Sequence, residues 1–510
     1  MKTTFNTTNS DLLIYKDEDV EIEVRGGVKT DRMESLRVTL KIISGQQIAR
    51  NNFDLYNDNQ VQHFARRCAG KLQLGITTIL DILENLTELL EGYILDQQQE
   101  ELTQTVQKYE QTDEELKTSK AFLMRKDLMT ATNEKISKAG VIGENLNRQV
   151  MYIIFTSRLM ETPLNCISMG ASGVGKSHLQ SSVSKLIPKE EIEEITDLTK
   201  SAFYYYGQFE LCHKLILIED LTGAKNALYP VRELQTKKTI SKTVVVPLRN
   251  GKVKTERRVV DGPICVGSCT TWAIVFEDNA NRSFLLDIDE SEEQDQKIME
   301  YQRKQSANLI DYTEIEQIRY FMQNVQRTLR PLKVVNPYAM ELELPSEIFK
   351  PRRTNGHYIN FIEAVTFYHQ FQRELKVDEK TGEEYIETTL EDIEIANSLL
   401  KDVLLRKADE LTGSCRKFFE KLKVYLQQNT LETYTTSELR KSLRMAPTSM
   451  FRYHQELLEL GYIKIAKGSK NKGFEYKLVD ADEYEKLENS IFGVLNKVLS
   501  KIKKSSIPKK

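Results

Sequence analysis

The sequence predicts an α/β protein: a parallel-sheet core with a helical lid, a small α/β domain before it and a winged-helix pattern after it. Three observations predict this. The apolar run Asn165-Cys166-Ile167-Ser168-Met169 leads into Gly170-Ala171-Ser172-Gly173-Val174-Gly175-Lys176-Ser177, and a polar helical segment follows from His178. A second apolar run, Lys214-Leu215-Ile216-Leu217-Ile218, ends in Glu219 and Asp220. Near the C-terminus, three helical segments precede two β-rich runs that flank a Lys/Gly-rich turn at 467–473. Strands alternating with helices in the first two cases imply a parallel sheet.

The octapeptide 170–177 satisfies the template G-x-x-x-x-G-K-[ST] in the strand–loop–helix context that the template requires. Its glycines let the backbone turn successive N–H groups towards a phosphate, and the next helix presents its positive end to the anion. Gly170, Ala171, Ser172, Gly173, Val174 and Gly175 form the cradle. Lys176 can neutralise β- and γ-phosphates, and Ser177 can hold Mg²⁺. ATP with Mg²⁺ is the ligand this chemistry suits. Glu219 and Asp220, about 40 residues on, would stand at a strand's C-terminal end, one on the metal's water shell and one on the attacking water. Their order, Glu then Asp, leaves open which is the base.

The remaining chain bounds the rest. At 510 residues it has room for three or four domains, and its net charge of −3 means that any nucleic-acid site is a local basic patch. Six cysteines, at 68, 166, 212, 265, 269 and 415, show no C-x-x-C spacing and read as free thiols in a reducing cytoplasm. Acids at 11 and 17–19 interrupt any signal-peptide core, and no apolar run has the length of a membrane span.

In chain order, 1–10 reads as loose, and Val20/Ile22/Val24 and Leu36/Val38/Leu40/Ile42 alternate as two strands. Helices follow near 58–69 and 76–95, completing a small α/β domain over 1–96. Residues 97–160 read as a helical connector, with a capping box at Thr112-Asp113-Glu114-Glu115 and a break at Gly140-Val141-Ile142-Gly143. The core spans 161–330 and includes a strand at Pro263–Thr271, a further strand after Arg282, and a charged, exposed helix over 291–330. A lid follows over 331–412, with a helix from Pro351, a polar hairpin at 380–383 and a helix at 389–410. The winged-helix pattern occupies 413–482, and a short apolar helix with a basic tail occupies 483–510.

Between the acid pair and the strand at 263, Thr243–Leu248 and Val253–Val260 flank Arg249-Asn250-Gly251-Lys252. Asn-Gly between β-rich runs signals a hairpin with a tight two-residue tip, and Pro247 excludes a central strand. Arg249, Lys252, Lys254, Arg257 and Arg258 make it basic. It is either a solvated surface hairpin or a contact for a nucleic-acid backbone, and charge alone does not separate the two. The winged-helix pattern likewise serves either DNA contact, through Arg452, or packing.

The order of elements resembles the AAA+ ATPase module of bacterial and mobile-element zinc-finger DNA primase-like proteins. More distantly it resembles minichromosome-maintenance and superfamily 3 replicative helicases. The resemblance rests on Gly170–Ser177, Leu215–Asp220, Asn281–Asp289, Leu329–Tyr338 and Pro351–Ile362, within residues 20–410. It implies that Thr270, or Ser268, is a polar sensor, that Arg282 is an arginine finger serving a neighbouring subunit, and that Arg353, or Arg352, is a second sensor. It also implies that the hairpin at 243–260 lines a pore. Zinc-finger cysteines and a primase polymerase site are lacking, so the chain resembles the motor part alone. The function implied is an ATP-hydrolysing DNA translocase or helicase, cytoplasmic and away from membranes. It would act as a ring, hexameric, on single-stranded or forked DNA in bacterial or mobile-element replication, beside a primase or other DNA-processing protein. The alternative is a nucleotide-switch ATPase that loads or regulates a replication initiator, transposase or defence nuclease without unwinding.

Overall fold

The computed structural model describes residues 4–7, 9, 11–17, 20–28, 35–104, 109–196, 201–221, 228–247, 253–271, 282–346, 348, 351–469 and 473–505. They fall into two units, Met1–Glu110 and Gln111–Lys510.

The first unit is an antiparallel meander of five strands, β1 (Thr4–Asn6), β2 (Leu12–Asp17), β3 (Val20–Arg25), β4 (Arg37–Ser44) and β5 (Gln47–Asp54), paired in chain order. Helices α1 (Asp58–Leu72) and α2 (Ile76–Gln104) follow. Leu13, Tyr15, Ile22, Val24, Leu40 and Ile42 share one core with Phe64, Cys68, Leu83 and Leu86. The sequence reading finds only β3 and β4. It misses β5 because this edge strand buries just Ala49 and Phe53 among polar neighbours, which hides the period of two. The stretch read as loose contains β1, held by Thr4↔Lys16 pairing to β2. Helix α2 runs through residue 96, where the sequence suggested a boundary.

The second unit opens with α3 (Asp113–Leu123), α4 (Leu128–Lys138) and α5 (Asn145–Thr156). The capping box at Thr112 is present: Glu115 N–H donates to Thr112 Oγ1 at 3.3 Å, and Thr112 N–H donates to Glu115 Oε2 at 2.8 Å. Thr112→Ala is expected to cost about 1 kcal/mol in chemical denaturation; an unchanged midpoint would show that this cap contributes nothing. Then come β6 (Cys166–Met169), α6 (Lys176–Ser184), β7 (Ile192–Ile195), β8 (Lys214–Ile218), α7 (Leu228–Lys237), β9 (Thr239–Pro247), β10 (Val253–Asp261), β11 (Ile264–Thr270) and β12 (Phe284–Asp287). Five of these form a wholly parallel sheet in the order β12-β6-β11-β8-β7, while β9 and β10 form a separate ribbon. Every residue of β6 and β11 is buried, as strands covered on both faces require. β7 escapes the sequence reading because, as an edge strand, its Ile-Glu-Glu-Ile buries only Ile195.

Helices α8 (Glu292–Ser306) and α9 (Tyr312–Thr328) replace the single exposed helix expected over 291–330. α9 is half core: Ile318, Met322 and Val325 are buried. So is Gln326, whose amide donates to Thr156 Oγ1 at 2.7 Å and accepts from the fully buried Arg158 at 2.7 Å. Polar composition misleads there because the polar groups are paired inside. The lid region holds β13 (Lys333–Val335), α10 (Pro351–Tyr368), β14 (Lys376–Val377), β15 (Glu384–Glu387) and α11 (Leu390–Ala408).

The last segment is α12 (Gly413–Gln428), β16 (Tyr434–Thr435), α13 (Thr436–Ser442), α14 (Pro447–Glu459), β17 (Ile463–Ser469), β18 (Gly473–Leu478) and α15 (Glu483–Ser505). Its three strands pair as β16-β18-β17 over a core of Phe418, Phe419, Leu422, Leu439, Met450 and Leu457. α15 corrects the short tail helix. It has 23 residues, and Ile491, Leu495, Val498 and Ile502 form a stripe buried in the same core as α10 and α11.

Candidate nucleotide site

Successive strands of a parallel sheet end on one side, and ligands bind there where the strand order reverses. β6 delivers the loop 170–177 to that side, and β8 delivers Glu219 and Asp220, both exposed. β11 lies between β6 and β8, so its end, Thr270, stands between the loop and the acids. Thr270 pairs with Met169 in register and is 4 % exposed; Ser268, the alternative, is buried and donates to Cys166 O at 3.4 Å.

Gly173 and Gly175 have φ of +84° and +96°, which disfavour side chains, and a Cβ on either would meet open space. That space is the room a phosphate needs over the loop. Lys176 is 7 % exposed, and its ammonium donates to Ala171 O within the loop. A cleft of ≈ 190 Å³ is lined by Ser177, Gln180, Ser181, Leu217 and Glu219, with Glu194 of β7. Leu217 and Glu219, alternate residues, face this cleft, whereas Asp220 is not among its lining.

The thiol of Cys269 feels several of these groups. Burial pushes it up to about 11; the Ser177 hydroxyl and the Lys176 ammonium pull it down, and Glu219 and Asp220 push it further up. The Ser177 hydroxyl thus bonds to this sulfur, and the charges of Lys176, Glu219 and Asp220 are felt there. The sequence reading missed Gln180, which is 4 % exposed and one helical turn beyond Lys176. Its amide donates to Ile218 O and accepts from Cys269 Sγ, both at 3.4 Å, tying the loop's helix to the ends of β8 and β11. It also missed Glu290, whose Oε1 accepts the Ala171 N–H at 3.3 Å and pairs with Lys417 of α12 at 3.3 Å. Spacing along α6 could have found Gln180; nothing local marks Glu290.

Three arginines lie elsewhere. Arg282 precedes β12, and its Nε donates to Thr236 Oγ1 at 3.1 Å. β12 pairs in parallel with its neighbour β6, Phe284 beside Cys166 and Asp287 beside Met169, so Arg282 lies about 20 Å of strand back from the loop, at the opposite end of the strands. Arg352 and Arg353, in the first turn of α10, line the same ≈ 330 Å³ cleft as Arg282, together with His357 and Asn165. No carboxylate lines this cleft among the described residues. His357 is pushed down to about 4 by burial, with Lys407 and Arg353 adding to the shift. Arg353 and Arg352, expected as alternatives for a second sensor at the start of a lid helix, thus share a cleft with Arg282.

The ribbon is only partly described. Arg249, Asn250, Gly251 and Lys252 lie outside the described residues, and Lys254 lies on β10. Pro247 pairs with Val253, and the tip expected at 250–251 lies outside the described residues. Arg257 is exposed on one face and Arg258, half-buried, points to the other. Arg452 is exposed on α14 and lies over its neighbour Tyr453, 4.8 Å from the ring centre.

All six cysteines are unbridged. Among the described residues no cluster of His, Cys, Asp and Glu could hold a metal by itself, and no helix is long and apolar enough to cross a membrane.

Residues 113–329 match a family model described as "MTBMA_p00010 P-loop domain", so the nucleotide-loop region is a P-loop domain. No curated protein matches the chain. Among solved structures, the chain is similar to a full-length MCM homolog from Methanopyrus kandleri, at 10% identity over 80% of this chain and 76% of that one, TM-score 0.37. It is also similar to the SCCmec type IV Cch active helicase, at 9% identity over 95% and 98%, TM-score 0.29. A third similarity is to Drosophila ORC bound to DNA, at 11% identity over 75% and 94%, TM-score 0.23.

Proposed function

We propose that the chain is an ATP-hydrolysing DNA translocase or helicase of AAA+ type that works as a ring. The observation that carries the ATPase part is the sheet order: β11 stands between the strand bearing Gly170–Ser177 and the strand bearing Glu219-Asp220. The residues present fit Mg²⁺ and ATP. Ser177 and Glu219 face one cleft and would hold the metal, which supplies charge to the phosphates. Lys176 would leave Ala171 O for the β- and γ-phosphates. Asp220 and Thr270 would orient the attacking water, and Gln180 would keep both strand ends in place.

Arg282 and Arg353, on a cleft away from the chain's own loop, support a ring in which each subunit's arginines meet the next subunit's nucleotide. The basic ribbon and the winged-helix pattern of α12–β18 support DNA as partner. A second reading, a nucleotide switch that loads or regulates another DNA-processing protein, is favoured by one observation. The acid at the second position is the shorter Asp220, outside the cleft lining, which suits slow hydrolysis.

ATP hydrolysis measured with and without single-stranded DNA tests the reading, and strand displacement separates helicase from switch. Arg249→Ala with Lys252→Ala is expected to lower DNA-stimulated hydrolysis, spare the basal rate and reduce the salt slope of binding by about two. Truncation at 415 would strip α15 from the main core, so the competing contact is tested by Arg452→Ala with Lys467→Ala. If the ribbon variant binds DNA normally and the latter loses binding, the ribbon is not the contact.

A further inference from the structure

The run Phe203-Tyr204-Tyr205-Tyr206 takes no part in the nucleotide site. It forms a short helical turn, Ala202–Tyr205, held at both ends. Phe203 is fully buried, and the Tyr206 hydroxyl donates to Glu193 Oε1 at 2.7 Å. Between these anchors Tyr205 is 61% exposed, and Tyr229, beside Tyr204, is 58% exposed. Large aromatic rings held rigid and wet are unusual in a surface that serves only packing.

The ribbon supplies charge to the same rings. Lys242 and Arg258 are direct cross-strand partners, an arrangement that repels. Each is drawn onto a tyrosine: Lys242 Nζ lies 5.5 Å from the Tyr204 ring centre, and the Arg258 guanidinium 4.3 Å from that of Tyr205. Lys242 also donates to Ser201 Oγ at 2.6 Å. The guanidinium covers one face of Tyr205, and the exposure of the ring leaves the other face to water. An aromatic face backed by cations is what sequence-tolerant binding of single strands uses: the ring stacks a base, and the cations meet the phosphates.

We propose that Tyr205, backed by Arg258 at the root of the ribbon, is a stacking site for a base of single-stranded nucleic acid. This rests on the DNA-acting reading above and adds a contact to bases, where the ribbon's cations alone would touch only the backbone. The turn 202–205 and the ribbon would then grip one strand together.

The experiment compares the full chain's binding of a fluorescent oligonucleotide of about 12 thymidines with an abasic strand of equal length and charge. The parent should prefer the thymidine strand. Tyr205→Ala should weaken that strand by roughly 5- to 100-fold, leave the abasic strand unaffected and keep the salt slope. Tyr205→Trp should restore the preference. The proposal is overturned if Tyr205→Ala leaves the thymidine strand bound as tightly as the parent does, which would give the patch to a protein partner. It is equally overturned if both strands weaken alike. A parent that binds neither strand overturns the DNA-acting reading as well, whereas a parent that binds both equally overturns the stacking site alone.

Discussion

Lys176→Ala is expected to abolish nucleotide binding while the fold survives. The lysine sits at the start of α6, almost buried, with its ammonium turned back onto Ala171 O of its own loop. That contact keeps the cation inside the cradle, where β- and γ-phosphates would take it over. A hydrogen bond to a charged group contributes about 1.5–3 kcal/mol, so losing two of them weakens binding about 10²–10⁴-fold. The fold should tolerate the change, because the alkyl stem is at the edge of the core and Ala favours a helix start more than it harms it. Titration with a fluorescent ATP analogue checks the first claim and thermal melting the second. An affinity equal to the parent's would show that the loop is not the nucleotide site.

Arg282→Ala is expected to stop hydrolysis without loosening nucleotide binding. Arginines supplied to a phosphoryl-transfer site from a neighbouring chain are worth about 10³–10⁵ in rate. In this chain β6 and β12 are parallel neighbours, so the loop leaves at their C-terminal ends while Arg282 enters at the opposite end. The length of β12 therefore lies between that guanidinium and the chain's own cradle. Mixing Arg282→Ala protomers with Lys176→Ala protomers should therefore restore part of the activity, since one kind of junction keeps both an intact loop and an intact arginine. Arg353→Ala should behave in the same way, because it shares the cleft with Arg282. A mixed assembly that shows no recovery for either arginine would refute action between subunits; recovery for Arg282 alone would return Arg353 to its own subunit's site.

Much of this was legible in the chain. Positions 170–177 and 214–220 announce themselves because their chemistry is local: a backbone cradle needs glycines at fixed offsets, and a buried parallel strand reads as an unbroken apolar run. The capping box at Thr112, the break at Gly140–Gly143 and the separate ribbon around Pro247 are equally local, and all are present in the structure. Edge strands β5 and β7 were not legible, since an edge buries too few side chains to impose a period. Nor was the burial of α9, where Gln326 can be buried because Arg158, 168 residues earlier in the chain, satisfies it.

The sequence by itself thus determined the presence of the phosphate cradle, the acid-ended strand and the helix ends, each set by residues within a turn or two of one another. The tertiary structure alone decided that β11 stands between loop and acids, that Glu290 braces the site, that Arg353 joins Arg282 and that α15 belongs to the core. Those outcomes depend on which strands pair and which helix faces meet. Such pairings bring together groups far apart in the chain, as with Arg158 and Gln326, 168 residues apart, and no local propensity or spacing encodes them.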